Sequence, residues 1–149
     1  MTSSANRELF LRMLTALGTK NYDAFESYLD VNILCEWPYR VIEGFPTEMI
    51  GAHRLRQALE ASLEVFTPYN YQVQEIYDLA ADDQLIAEYS SHSNYIPRQV
   101  PYSNRYVGIL EFRNGKVTRW REYVNPLVVI EALGPGFTWE EATGATRSP

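Results

Sequence analysis

What this 149-residue chain lacks narrows its chemistry before any motif does. A single cysteine, Cys35, excludes an intrachain disulfide and an all-cysteine metal site. The two histidines, His53 and His92, stand far apart in unlike contexts and supply no paired-ligand motif, so no metal is expected. Basic residues are short: 13 against 19 acidic ones, for a net charge of −6. That balance offers no basic face to nucleic-acid phosphates or to an anionic membrane surface. No apolar run approaches the ~18 residues of a membrane span. The opening Met1-Thr2-Ser3-Ser4-Ala5-Asn6-Arg7 lacks the charged-then-apolar order of a signal peptide. The expectation is one reduced, cytoplasmic domain over 1–149, with a core at about 5–133 and a loosely attached tail at 134–149.

Tyrosine, by contrast, is abundant, with eleven in the chain. A tyrosine joins a large apolar body to a polar tip that needs a partner when buried. So many suggest half-buried strands around a wet cavity. Periodicity predicts a helix over 4–17, where Leu9, Met13 and Leu17 recur every fourth residue with Phe10 and Leu14 beside them, until Gly18. Asn21 can cap a second short helix. Val31 to Trp37 reads as a strand ended by Pro38, 40–50 as a loop, and the stretch after Gly51 as a helix with Leu55, Leu59, Leu63 and Phe66 on one stripe. The second half alternates instead, giving strands over 69–79, 84–93, 102–112 and 117–124. Arg113-Asn114-Gly115-Lys116 marks the tight turn between the last two. A short helix over 127–133 follows Pro126. Helices segregated from an antiparallel meander predict an α+β fold. A strongly curved sheet of four or five strands, with helices on its inner side, would form a cone around a pocket.

Three stretches carry a family resemblance. The strand ending in Cys35-Glu36-Trp37-Pro38-Tyr39, followed by the helix opening Gly51-Ala52-His53-Arg54-Leu55, resembles the SnoaL-like group of the NTF2-like superfamily. Pro101-Tyr102-x-Asn104-Arg105-Tyr106, then Phe112-Arg113-Asn114-Gly115-Lys116-Val117, then Arg121-Glu122-Tyr123-x-Asn125-Pro126, is similar to ketosteroid-isomerase-related proteins and to phenazine-biosynthesis condensing proteins. The last run also resembles limonene-epoxide hydrolase. The resemblance implies the cone-shaped, cystatin-like NTF2 fold and an apolar pocket with a few acid–base residues at its floor. It also implies no metal or organic cofactor, and a homodimer joined through the outer sheet face. This fold hosts many reactions, so it does not name one.

The leading candidate for chemistry is Glu122. Strand alternation places it with Thr118, Trp120 and Val124, and the apolar pair flanking it marks the expected pocket side. Desolvation there would raise its pKa toward working pH, as a general acid or base requires. The other reading is a structural glutamate paired with an arginine or a tyrosine hydroxyl. Ser90 and His92 share a face with Ile86 and Glu88, and are expected in the cavity, with Leu85, Ala87 and Tyr89 turned toward a partner subunit. Glu36, an acid in an apolar strand, is a candidate second carboxylate or a solvated strand end. Asn104, Tyr106 and Tyr39 are candidate donors to a developing oxyanion. Trp37 and Trp120 complete the expected substrate-binding set.

The resemblance adds to this set and subtracts from it. Glu122 matches the acid–base carboxylate of the epoxide-hydrolase relatives and a glutamate of the phenazine-type proteins. Ser62 matches a phenazine-type serine, and Glu88-Tyr89-Ser90-Ser91-His92 resembles an acid-x-x-x-His stretch of the same proteins. The phenazine-type helix histidine falls near Ala58, and the epoxide-hydrolase arginine and aspartate fall near Ser90 and His92, so neither of those machineries is complete. The expectation is an acid–base isomerase, cyclase or dehydratase acting on a small, largely apolar carbonyl or cyclic metabolite. A non-catalytic carrier of such a molecule, or an accessory dimeric interaction domain, are the alternatives.

Overall fold

The computed structural model describes residues 3–134 and 136–143. Helix α1 (Ser3–Gly18) buries Phe10, Met13, Leu14 and Leu17, the i, i+3, i+4, i+7 stripe of an amphipathic helix. It ends where the chain must come close to the sheet. Tyr69 donates its amide to the Gly18 carbonyl at 2.9 Å, and a Cβ on Gly18 would clash with the Tyr69 carbonyl oxygen. Helix α2 (Tyr22–Ser27) is capped by Asn21, whose side chain accepts from the Ala24 amide. Strand β1 (Leu29–Glu36) follows, then β2 (Glu48–Ile50), α3 (Ala52–Leu63), β3 (Asn70–Asp78), β4 (Gln84–Tyr95), β5 (Val100–Arg113), β6 (Lys116–Val124), α4 (Pro126–Leu133) and α5 (Trp139–Thr143).

The six strands form one curved, open sheet in the order β2-β1-β6-β5-β4-β3. Register shifts interrupt β3/β4 between Val73 and Glu75, and β5/β6 between Glu111 and Phe112. Such bulges bend strands and increase twist. The turn between β5 and β6 holds Asn114 at φ 51° and Gly115 at φ 74°, the positive pair that an Asn-Gly hairpin supplies. Helices α1 and α3 and the loop between β1 and β2 cover the concave face. The core there includes Ile33, Cys35, Leu85, Ala87, Tyr89, Leu110 and Trp120, all buried.

Three expectations are corrected. The sheet is mixed, because β1 runs parallel to β6 while every other pair is antiparallel. Residues 48–50 are a sixth strand rather than loop, too short to show a period. The tail is tied down over its described part: Trp139 donates its amide to the Glu43 carbonyl at 2.8 Å, and Thr138 bridges to Glu43. The remainder of the expected loose tail, 144–149, lies outside the described residues.

Candidate active site

A cavity of about 130 Å3 lies between the concave sheet face, α3, α4 and the C-terminal segment. Its walls are apolar at Val41, Phe45, Leu59, Phe137 and Trp139, and several tyrosines share the lining with the carboxylate of Glu122. Phe45 packs edge-on between Trp37 at 5.0 Å and Trp139 at 4.6 Å between ring centroids. Each such pair contributes ~0.5–1.5 kcal/mol beyond burial, and the Phe45–Trp139 pair holds the C-terminal segment against the β1–β2 loop.

Glu122 faces inward because alternation along β6 aligns it with Trp120 and Val124, both buried. The surface that it retains opens onto the cavity. Burial pushes its carboxyl up to about 7, while hydrogen bonding from Tyr89 and, more weakly, from Trp37 pulls it back down. Tyr89 donates its phenol proton to Glu122 Oε2 at 2.5 Å. The Tyr89 oxygen in turn accepts from the Trp120 indole at 3.2 Å, which fixes the phenol proton on the carboxylate. Tyr89 stands on β4 and Glu122 on β6, so the phenol must cross β5. Gly108 makes the crossing possible: it pairs with Glu122, and a Cβ there would meet the Tyr89 ring and hydroxyl at 3.0 Å.

Around this pair the tyrosines differ in what their hydroxyls do. Tyr106 stacks on Tyr89 at 5.1 Å and shares a 2.7 Å hydrogen bond with Ser91 Oγ. The Tyr102 hydroxyl accepts from Asn104 at 2.9 Å. Tyr71 also lines the cavity, with its ring 6.2 Å from those of Tyr89 and Tyr106. No described residue hydrogen-bonds to its hydroxyl. Burial, then the Glu122 charge, push the Tyr71 phenol well up, so it stays a proton donor.

The sequence-predicted set divides sharply on this geometry. Glu122, Tyr106, Trp120, Trp37 and Ser62 all line the cavity, although the Ser62 hydroxyl donates to the Leu59 carbonyl. Asn104 is buried on the inner face, but as scaffold. Its amide nitrogen donates to Tyr102 and to the Asn125 carbonyl, and its oxygen accepts the Asn125 amide. It is thus not free to polarise a ligand. His92 and Ser90 are on the opposite face, because β4 turns its apolar set, Leu85, Ala87 and Tyr89, inward. There His92 Nδ1 pairs with Ser103 Oγ at 2.9 Å in solvent, and Ser90 accepts from Gln74. Tyr89, expected at a partner, is fully buried, whereas Val107, Ile109 and Tyr123 lie on the outer face. Tyr39 is also outside, 60% exposed and packed edge-on against Tyr123.

Glu36 is outside as well, held by Arg119 Nε at 2.6 Å and Arg121 Nε at 3.4 Å. These partners hold its carboxyl below the usual range. Cys35 packs beneath Glu122 as a buried thiol, pushed well up by burial first and then by the Glu122 charge. Two contributors went unpredicted. Tyr89 takes the face opposite to the expected one, and Tyr71 is one of eleven tyrosines with nothing local to single it out. Among the described residues, no three His, Cys, Asp or Glu side chains come together to hold a metal, and no helix is long and apolar enough to cross a membrane.

The SnoaL-like domain family matches residues 10–120. The chain belongs to the SnoaL-like family. It is similar to "Uncharacterized protein YesE" of Bacillus subtilis, with 27% identity over 92% of each chain. A structure from Bacillus subtilis named "Putative Isomerase" is 26% identical, with a TM-score of 0.84 over 92% of this chain and 99% of that one. A "putative polyketide cyclase" from Pseudomonas putida shares the fold at 17% identity and a TM-score of 0.70, over 89% and 98% of the two chains. The NTF2-like fold recurs in an LEH-like epoxide hydrolase of M. tuberculosis and a phenazine biosynthesis-related protein of Pseudomonas aeruginosa, at TM-scores of 0.67 and 0.71.

Proposed function

We propose that this SnoaL-like protein is an acid–base enzyme of the isomerase or cyclase type, acting on a small, largely apolar carbonyl compound enclosed beside Glu122. The observation that carries the reading is a single carboxyl in an aromatic cavity, raised to about 7 and oriented by Tyr89. A general acid or base is most effective when its pKa lies near the operating pH. Ionised Glu122 takes the proton from a carbon next to the carbonyl, and the C–H electron pair moves into the enolate. Where a carbon–carbon double bond is conjugated with that enolate, protonated Glu122 returns the proton to the far carbon and the double bond shifts; in a saturated ketone the proton returns to the same carbon as exchange, so atoms and charge balance without a redox partner. Tyr89 stabilises the carboxylate form and so keeps the base available near neutral pH. The isomerase and cyclase names of the structural relatives support this class of chemistry without naming a substrate.

The test follows deuterium uptake from heavy water at the α-carbons of simple cyclic ketones by NMR, in wild type and in Glu122→Gln. Accelerated exchange in wild type that Glu122→Gln abolishes is the expected result. Equal exchange in both proteins would overturn the reading, and ketone binding without exchange would leave a carrier instead.

A further inference from the structure

We propose that the cavity is built for a neutral, single-ring molecule bearing one oxygen acceptor, and that the Tyr71 hydroxyl is the group that receives that oxygen. The inference rests on the acid–base reading of the same site and specifies its ligand. Three observations converge on it. The first is size: the cavity holds about 130 Å3, and an apolar cavity of ~150 Å3 takes up benzene. The second is charge. Among the described residues the lining includes no lysine, arginine or histidine, so an anionic ligand would enter an apolar-walled site beside Glu122 with nothing there to compensate it. Glu122 is buried and its carboxylate form already takes the Tyr89 hydrogen bond, so a cationic ligand would be desolvated against one partly ionised, already engaged acid.

The third observation is the state of the donors. Tyr89 and Trp37 donate to Glu122, Tyr106 is engaged with Ser91, Tyr102 with Asn104 and Tyr69, the Ser62 hydroxyl is turned to a backbone carbonyl, and the Trp120 indole is engaged with Tyr89. Tyr71 lines the same space with its hydroxyl unengaged by any described residue. The Tyr71 phenol faces the cavity with its proton uncommitted to any described residue, so an arriving carbonyl oxygen gains a hydrogen bond that competes with no protein partner. Placed there, the oxygen shares the cavity with Glu122, whose charge already acts on the Tyr71 phenol.

Dissociation constants measured by NMR would test both parts, with cyclohexanone, toluene, cyclohexanecarboxylate, cyclohexylammonium and 2-decalone as probes. Wild type should bind cyclohexanone, and at least about tenfold more tightly than the two charged rings or the bicycle. Tyr71→Phe should weaken cyclohexanone by about tenfold, the effect of one hydrogen bond, and leave toluene unchanged. Unchanged toluene binding also shows that the variant keeps the cavity intact. The proposal is overturned if Tyr71→Phe binds cyclohexanone as tightly as wild type. It is equally overturned if wild type fails to bind cyclohexanone, or prefers a charged or two-ring probe; these wild-type arms stand even if the variant does not fold. Tyr71-dependent binding without deuterium exchange would sink the acid–base reading alone. Glu122-dependent exchange without a Tyr71 effect on binding would sink this inference alone.

Discussion

Glu36 ends β1 and Glu122 lies near the end of β6, its parallel neighbour, yet the two carboxyls shift in opposite directions. Glu36 pairs in register with Arg121, the residue just before Glu122. One step along a strand reverses the face, so Glu36 meets two guanidinium groups in a half-solvated network, while Glu122 meets tyrosines and tryptophans in a cavity. Strand, residue type and height in the sheet are nearly the same. Side of the sheet alone separates an ion-paired surface acid from a candidate proton carrier.

The largest effect that can break this comparison is loss of Glu122 itself. Glu122→Gln should cut turnover about 10²–10⁴-fold, the range of a general acid–base group, measured as α-proton exchange. The stability consequences of the two acids should also have opposite signs. The Glu122 carboxyl is raised in the folded state to about 7, so its favourable protonated form stabilises the fold below the unfolded value near 4.5. That contribution is lost as pH rises through about 7, on the order of 3 kcal/mol. Glu36, lowered by Arg119 first, contributes above the unfolded value and loses its contribution as pH falls through its folded value. Urea melts across pH 4 to 9 should therefore show Glu122→Gln gaining on wild type toward high pH. Glu36→Gln should lose ground only above the acid range, by under ~1 kcal/mol because the pair is partly solvated.

Between these extremes lies the crossing at Gly108. Gly108→Ala should displace Tyr89, lengthen its bond to Glu122 and raise the carboxyl further, because the lost donor favoured the charged form. The pH–rate profile for exchange should move upward in Gly108→Ala and in Tyr89→Phe alike; an unmoved profile in both would show that Tyr89 does not tune the base. The smallest effect is expected at His92. His92→Ala should leave exchange unchanged and stability within ~0.5 kcal/mol, as for an exposed side chain away from the cavity.

Much of this was legible from residue order. The α1 stripe, the Asn114-Gly115 turn and the facing of Glu122 all follow from local periods, because flanking Trp120 and Val124 left one face for the core. The β4 parity was equally legible, but its face was misassigned. Leu85, Ala87 and Tyr89 are the apolar set and take the core, which carries His92 and Ser90 outward. Glu36 could not be placed, since its partners Arg119 and Arg121 reach it through a parallel pairing of β1 with the distant β6, which no local pattern encodes. Nor could Tyr71 be told from the other tyrosines, because an unengaged hydroxyl is a property of the assembled cavity.

The most direct test of the central claim is a pH titration of the glutamate side-chain carboxyl carbons by NMR, with the Glu122→Gln spectrum identifying the resonance that disappears. The account predicts a midpoint about 7 for Glu122, with Glu36 titrating below the ordinary carboxylate value. A Glu122 resonance that titrates at the ordinary glutamate value of ~4.3 would contradict it.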